Sequence, residues 1–184
     1  RIKPLLKTDM CIVSATKGLS ADGEFLSNIS KSLCAHVPYA MLSGPSFAKE
    51  VACGLPTAVS IAADSPLIGE ILVRAFHSDI FRIYLSQDLI GVQLGGVVKN
   101  VLAIAVGMSD GLGFGANARA ALITRGFAEL CRLGKALNVQ LPTLMGLSGM
   151  GDIVLTCTDN QSRNRRFGLA LGEGRPIEDA EKAI

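Results

Sequence analysis

The sequence predicts an α/β region followed by an all-helical region, and three observations support this fold class. Short apolar runs typical of buried strands alternate with helical patterns along residues 1–86. After Ser86 the strand pattern stops and only helical patterns remain. Hydrophobic residues make up 49% of the 184 residues, enough to form a substantial core. We therefore expect a mainly parallel sheet in residues 1–86 and a helical domain in residues 87–184.

The predicted elements follow one another with short connections. Strands are expected at 10–15, 39–42, 57–62 and 81–85, with helices between them at 23–36, 47–53 and 67–76. One long helix is predicted over 88–108 and another over 117–137. Three glycines interrupt the helical pattern at 144–156. A further helix is expected at 162–171, and Pro176 opens a last one.

Charge and cysteine content exclude several classes of protein. The net charge of +2 gives no electrostatic case for a nucleic-acid partner. The five cysteines are odd in number, widely scattered and never spaced C-x-x-C, which argues against a disulfide framework and against a metal site. Thiols of this kind are typical of small core residues in a reducing cytoplasm.

The most apolar run, residues 89–108, raises the question of a membrane span. Gln93, Lys99 and Asn100 lie near its middle, where an ionised group would be costly in lipid. We therefore interpret this run as a buried helix and expect no membrane span.

Lys99 is the most unusual residue of that helix. Its apolar stem could be buried while its amine reaches water, which is the common fate of such a lysine. Alternatively, the amine projects into a cleft, where burial would lower its pKa toward the range that suits a general acid. A neighbouring carboxylate would raise that pKa again and hold the amine in place.

Two later segments could complete such a site. Asp152 lies among glycines and apolar residues and is a candidate for the carboxylate, although the local sequence alone favours an N-cap of the following helix. Residues 158–166 bring three arginines to the start of a helix, where free N–H groups and guanidinium forks attract phosphate. An exposed basic turn is the alternative interpretation.

Two strand ends in the first region also carry polar groups. Lys17 follows the first predicted strand, and the loop 43–46 follows the second. In open α/β sheets, ligands bind at the carboxyl ends of the strands. The Gly-rich stretch 111–115 follows a helix rather than a strand, so it does not qualify as a dinucleotide-binding loop, and we interpret it as a connection.

Four stretches closely resemble the bacterial-type glycerol-3-phosphate dehydrogenases. They are SATKGL, LSGPSFAKEVACGLPTAV, GVQLGGVVKNVLAIAVGMSDGLGFGANARAALITRG and GLSGMGDIVLTCTDNQSRNRRFG. The resemblance covers nearly the whole chain. It implies the second half of a Rossmann-like NAD(P)-binding domain followed by an all-α domain, with the active site between them. The segment that would carry the Gly-rich loop is missing, so we expect a fragment whose last helices are also cut short.

The resemblance assigns site roles to residues of this chain. Lys99 and Asp152 match the family's catalytic lysine and buried acid. The positions that match the family's substrate contacts are Lys17, Gly44, Ser46, Lys99, Asn100, Asp152, Thr156, Ser162, Arg163 and Asn164. Those that match its cofactor contacts are Lys17, Ala48 and Arg163.

The function implied is the interconversion of dihydroxyacetone phosphate and sn-glycerol 3-phosphate with NAD or NADP, in the cytoplasm, in support of phospholipid synthesis. The sequence does not choose between NAD and NADP, and it is compatible with a homodimer without fixing the oligomeric state.

Two rival hypotheses remain open at this point. A β-hydroxyacid or 6-phosphogluconate type of dehydrogenase has the same two-domain plan, but there the catalytic lysine and asparagine are several residues apart, whereas Lys99 and Asn100 are adjacent. A non-catalytic module that senses metabolites or only oligomerises is favoured by the missing Gly-rich loop.

Overall fold

A computed structural model describes residues 3–182 and contains one four-stranded sheet with the strands in sequence order. The strands are β1 (Ile12–Ser14), β2 (Tyr39–Ser43), β3 (Thr57–Ala63) and β4 (Phe81–Ser86). A short 3-10 helix at Lys3–Leu5 precedes them.

Helices lie between the strands and make up all regular structure after β4 in the described part of the chain. Those of the first region are α1 (Leu26–Leu33), α2 (Ala48–Ala52) and α3 (Pro66–Phe76). Those of the second are α4 (Leu89–Gly111), α5 (Gly115–Ala136), α6 (Leu141–Met145), α7 (Asp152–Thr158), α8 (Arg163–Gly172) and α9 (Ile177–Lys182). The predicted fold class, α/β and then all-α, is confirmed. The predicted domain limits also include residues 1–2 and 183–184, which lie outside the described residues.

One strand pairing differs from the parallel arrangement. β1 pairs with β2 and β3 with β4 in parallel, but β2 and β3 are antiparallel. The connection between β2 and β3 contains only the five-residue helix α2, which at about 1.5 Å per residue advances about 7.5 Å. The five residues of β2 span about 16 Å at 3.3 Å each. The helix is therefore too short to carry the chain back along the sheet, and β3 starts at the edge where β2 ends.

The glycine-interrupted segment forms three consecutive helical pieces instead of one helix. α6 ends at Met145, a π-helical segment occupies Leu147–Gly151, and α7 begins at Asp152. A Cβ atom on Gly149 would collide with the backbone of Leu144, so the tight winding depends on glycine there. This winding delivers Asp152 to the interior, where its side chain faces α4.

α4 is the central helix of the second region and also contacts the sheet. One apolar cluster, of residues on α4, α5, α6 and α7, contains Leu94, Leu102, Ala103, Val106, Leu130, Leu144, Ile153 and Cys157. A second, which joins the start of α4 to the sheet, contains Val92 with Tyr39, Met41 and Ala62. By length and composition α4 could cross a membrane, but half of its most apolar window is buried inside the protein. That arrangement is typical of the core helix of a globular protein.

Candidate active site

Asp152 lies at the centre of the site, buried with only 1% of its surface exposed. Its Oδ1 accepts a hydrogen bond of 2.7 Å from Nζ of Lys99, and its Oδ2 accepts one of 2.6 Å from Nζ of Lys17. The alternative interpretation as a helix N-cap is wrong, because Gly151 occupies the N-cap position and Asp152 is already the first residue of α7. The carboxylate instead joins two lysines that come from different parts of the fold.

Lys99 projects from the middle of α4 and does not reach open solvent. Its residue is 9% exposed, and Nζ also donates a 3.1 Å hydrogen bond to Oγ1 of Thr156, one turn after Asp152 on α7. Burial lowers the pKa of Lys99, Asp152 raises it, and the charge of Lys17 lowers it further, to about 8. The amine is therefore still mostly protonated at neutral pH, and a modest rise in pH converts it to the neutral form.

Lys17 lies just after β1 and reaches the site from the opposite side. Its Nζ donates a 3.0 Å hydrogen bond to the carbonyl oxygen of Gly44, in the loop after β2. Gly44 has a φ of +155°, and a Cβ there would come within 2.9 Å of the Cα of Val59. Only glycine fits this position, which aims its carbonyl at Lys17. A glycine on α4, Gly96, leaves room for the lysine stem, since a Cβ there would lie 3.1 Å from Cγ of Lys17.

Each lysine keeps a donor for a ligand. An ammonium group has three N–H donors. Lys17 directs its protons to Gly44 and Asp152, and Lys99 directs its own to Asp152 and Thr156. Among residues 3–182, one N–H of each ammonium group has no protein acceptor, and both lysines line the same cleft.

A chain of amides links this cluster to α8. Nδ2 of Asn100 donates to the carbonyl oxygen of Lys17 at 3.2 Å, and Nδ2 of Asn164 donates to Oδ1 of Asn100 at 2.8 Å. Asn100 therefore connects the strand-end loop with the first turn of α8. The adjacent residues Lys99 and Asn100 on α4 thus form hydrogen bonds with different groups: Lys99 with side chains of α7, and Asn100 with Lys17 and Asn164.

Residues 158–164, which we call the α8 turn, form the other wall of the cleft. Ser162 is the N-cap of α8, and its Oγ accepts a hydrogen bond of 3.2 Å from the backbone N–H of Arg165. Arg163 is exposed and lines the cleft, whereas Arg165 is buried. The alternative interpretation of residues 158–166 as an exposed basic turn is therefore only partly correct.

The cleft has a volume of about 460 Å³ and brings most of the predicted residues together. Its lining residues are Ala15, Lys17, Phe47, Lys99, Asn100, Thr156, Gln161, Ser162, Arg163 and Asn164. Asp152 lies directly behind this wall.

Besides Asp152, three predicted residues stand apart from the lining, and Gly44 is one of them. The hydroxyl of Ser46 donates back to the Gly44 carbonyl at 3.3 Å, and Ala48 is exposed at the start of α2. The sequence interpretation missed Phe47 and Gln161, although both belong to the quoted motifs. Phe47 precedes α2 as its N-cap, and an aromatic residue inside a polar strand-end loop was a usable signal.

A thiol close to this site is not reactive. Burial raises the pKa of Cys157 to about 12, so the thiol stays protonated at neutral pH. Within residues 3–182, no three His, Cys, Asp or Glu side chains come together in a way that could hold a metal ion.

Comparison with known sequences identifies both regions. A profile described as NAD-dependent glycerol-3-phosphate dehydrogenase N-terminus matches residues 1–67, and one described as the C-terminus of the same enzyme matches residues 88–184. A protein of Klebsiella pneumoniae subsp. pneumoniae named glycerol-3-phosphate dehydrogenase (NAD(P)+) is 56% identical over the whole chain. A protein of Bartonella quintana with the same name is also 56% identical over the whole chain. The chain covers 55% of each of these relatives, so it spans about half their length.

Solved structures agree with these matches. A crystal structure of glycerol-3-phosphate dehydrogenase from Coxiella burnetii superposes with a TM-score of 0.96 at 52% identity, over all of this chain and 56% of that one. The glycerol-3-phosphate dehydrogenase of Saccharomyces cerevisiae gives a TM-score of 0.86 at 26% identity, with the same coverage. The chain therefore belongs to the NAD-dependent glycerol-3-phosphate dehydrogenase family.

Proposed function

We propose that the protein carrying this chain interconverts dihydroxyacetone phosphate and sn-glycerol 3-phosphate by hydride transfer with NAD or NADP. The observation that carries the proposal is the Asp152 carboxylate, which bridges the ammonium groups of Lys99 and Lys17 behind a cleft. Arg163 and Asn164 line the opposite wall of that cleft. A site of this kind offers a proton donor for a ketone and cationic donors for a phosphate within one cleft.

The residues of the cleft fit the reactive part of an anionic dinucleotide. Lys17 and Arg163 are cationic, and Phe47 contributes an apolar surface to a cleft that is otherwise mostly polar. The parallel strands β1 and β2 end at this edge, which is where open α/β sheets bind nucleotides. We propose that Lys17, Ala48 and Arg163 contact the cofactor, which when bound supplies a hydride to the C2 carbonyl carbon.

Lys99 is proposed as the general acid for the ketone. Negative charge develops on the carbonyl oxygen as the carbon is reduced, and the Nζ proton that has no protein acceptor is free to be donated to it. In the reverse direction, neutral Lys99 accepts the proton of the C2 hydroxyl. Asp152 and Thr156 hold the amine in place, and Asp152 also favours its charged form. Positioned proton transfer of this kind contributes about 10²–10⁴-fold to the rate.

The α8 turn is proposed as the phosphate-binding part of the site. Arg163 offers a forked guanidinium group, and Ser162 and Asn164 add a hydroxyl and an amide beside it. Lys17 directs its remaining donor, together with the amide of Asn100, toward the polar end of the substrate. Gly44 and Ser46 contribute by shaping the loop that holds Lys17.

Family membership supports glycerol-3-phosphate dehydrogenase over the rival dehydrogenases, because the sequence profiles match both regions of this chain. The observation that counts against the non-catalytic module is that Lys99 and Lys17, both held by Asp152, line one cleft with Arg163 and Asn164. We propose domains at 1–86 and 87–184, since β4 ends at Ser86 and α4 begins at Leu89.

A cytoplasmic location suits the five cysteines, none of which is in a disulfide. In that compartment the product would supply phospholipid synthesis.

The proposal is tested by the oxidation of NADH and of NADPH by the complete natural protein with dihydroxyacetone phosphate. We expect substrate-dependent oxidation of at least one cofactor, and reduction of the oxidised cofactor with sn-glycerol 3-phosphate. A protein that binds cofactor but turns over 3-hydroxy acids or 6-phosphogluconate instead would overturn the choice of substrate. Absence of turnover with all of these substrates would favour the non-catalytic module.

A further inference from the structure

A buried ion-pair network lies next to the candidate active site without contacting the cleft. Asp110, near the end of α4, accepts a hydrogen bond of 2.5 Å at Oδ2 from Nη2 of Arg165. Nε of Arg119, on α5, donates to both oxygens of the same carboxylate, at 2.9 and 3.1 Å. The side chains of Arg165 and Asp110 are only 8% and 6% exposed. Neither residue has a role in the proton transfer or phosphate binding proposed above.

Arg165 uses its remaining donors on the segment that leads into the α8 turn. Its Nε donates to the carbonyl oxygen of Cys157 at 3.1 Å, and its Nη1 donates to Oδ1 of Asn160. One guanidinium group therefore joins α4, the end of α7 and the turn itself. Guanidinium is rigid and planar, so these contacts fix the relative positions of all three segments.

Arg163 and Arg165 lie on different sides of α8, and helix geometry explains why. Residues two apart on an α-helix are about 200° apart around its axis, because each residue turns it by about 100°. Arg163 accordingly faces the cleft, while Arg165 is turned to the interior. Any rotation of α8 that released Arg165 from Asp110 would also turn Arg163 away from the cleft. The same rotation would break the hydrogen bond between Asn164 and Asn100.

We infer that Arg165, paired with Asp110, is a positioning residue that holds the α8 turn in its phosphate-binding orientation. This inference rests on the proposed function for the identity of the ligand. Arg165 does not touch the substrate: it acts through Asn160 and the carbonyl of Cys157 on the residues that do.

The test compares Arg165→Lys with Arg119→Lys in the complete natural protein. Both changes keep the charge and the ion-pair partner Asp110, but only Arg165 contacts the turn. A single ammonium group cannot reach three separated acceptors, so the turn loses its anchor in Arg165→Lys. We expect the calorimetric Kd for sn-glycerol 3-phosphate and the KM for dihydroxyacetone phosphate to rise about tenfold or more, as is usual when a binding group is misplaced.

Two further measurements distinguish a positioning role of Arg165 from a purely structural one: kcat in Arg165→Lys and Kd in Arg119→Lys. In Arg165→Lys we expect kcat to change by less than about threefold, because Lys99 and Asp152 are untouched. In Arg119→Lys the Kd should stay within about twofold of the unsubstituted protein. Should Arg165→Lys fail to fold, Asn160→Ala removes one of the turn contacts from an exposed position and is expected to raise the Kd about threefold.

The outcomes are distinct from those that test the proposed function. An inactive unsubstituted protein would overturn the proposed function, yet a Kd for sn-glycerol 3-phosphate that weakens in Arg165→Lys would still support the positioning role. A Kd that is unchanged in Arg165→Lys, or that rises equally in Arg119→Lys, would overturn the inference. The same holds for an unchanged Kd in Asn160→Ala if that variant has to carry the test.

Discussion

The ammonium group of Lys99 lies 2.7 Å from Oδ1 of Asp152, although 53 residues separate the two in the chain. The other oxygen of this carboxylate is occupied by Lys17. Burial lowers the pKa of Lys99, the charge of Asp152 offsets part of that effect, and the second ammonium group, of Lys17, limits the offset. The protonation of Lys99 is therefore sensitive to each of its two neighbours.

The first prediction concerns the pH dependence of the proposed reaction. Ketone reduction needs protonated Lys99, whose pKa is about 8. We expect kcat for reduction to be constant below this value and to fall as the pH rises through it. Alcohol oxidation needs the neutral amine, so its kcat should rise over the same pH interval. Steady-state rates in both directions between pH 6 and 10 check this, and parallel profiles in the two directions would exclude Lys99 as the shared acid and base.

The second prediction separates the two neighbours of Lys99. Asp152 raises the pKa of Lys99 and Lys17 lowers it. Asp152→Asn should therefore move the inflection of the reduction profile to lower pH, whereas Lys17→Met should move it to higher pH. Both variants also weaken catalysis, but opposite displacements of the inflection would not follow from a general loss of structure. Shifts in the same direction would contradict the proposed charge balance.

The third prediction concerns the proton donor itself. Lys99→Ala removes the acid but leaves the salt bridge between Lys17 and Asp152, so we expect a folded protein. Loss of positioned proton transfer should lower kcat by about 10²–10⁴-fold. Lys135→Ala, which removes an exposed lysine of α5, is the matched control and should keep its kcat. Near-normal kcat in Lys99→Ala would remove this residue from the role.

The sequence predicted which residues belong to the candidate site better than it predicted the hydrogen bonds and ion pairs between them. Lys99 was recognisable because a charged residue interrupts a long apolar helix, and this anomaly does not depend on tertiary structure. The salt bridge between Lys17 and Asp152 spans 135 residues, and no local pattern encodes such a pairing. The π-helical segment that turns Asp152 inward depends on close backbone approaches, of Gly149 to Leu144 and of Gly95 on α4 to Ser148, that apolar periodicity does not predict. Without that turn, an N-cap was the reasonable interpretation of an acid at a helix start.

Two other features show where local patterns are insufficient. Apolar periodicity identified all four strands, but it carries no information on strand direction, so the antiparallel pairing of β2 and β3 was not predicted. The residue pattern alone presents the three arginines of residues 158–166 as one basic group, and only the family resemblance singles out Arg163. Their position relative to the axis of α8 could have distinguished Arg163 from Arg165, because residues two apart face different sides of a helix.

The fourth prediction addresses the phosphate-binding arginine. Arg163→Ala should raise KM for dihydroxyacetone phosphate about tenfold or more, since a hydrogen bond to a charged group is worth about 1.5–3 kcal/mol. Because phosphate is bound in both ground and transition states, kcat should change less than KM. Arg82→Ala removes an equal charge from the exposed face of β4 and should leave KM unaffected. Unchanged KM values for both substrate and cofactor in Arg163→Ala would count against its assignment.

The fifth prediction concerns the close contact of α8 with α4, on which the orientation of the α8 turn depends. A Cβ atom on Gly168 would collide with the carbonyl group of Ile104, and one on Gly107 would collide with the carbonyl group of Arg165. Both obstacles are backbone atoms, so neither can move aside as a flexible side chain would. Gly168→Ala therefore has to push α8 away from α4.

Alanine favours a helix over glycine by about 1 kcal/mol, which alone would stabilise the variant. Overpacking in a tight interior costs about 1–3 kcal/mol and, against rigid backbone, should exceed that gain. We expect the free energy of unfolding of Gly168→Ala to fall by about 1–2 kcal/mol, measured by urea denaturation. Gly18→Ala is the control, because a Cβ there meets nothing within 4 Å. A Gly168→Ala variant about 1 kcal/mol more stable than this control would show the helix gain alone. In that case α8 shifts without cost, and the backbone contact could not be what fixes the direction of Arg163.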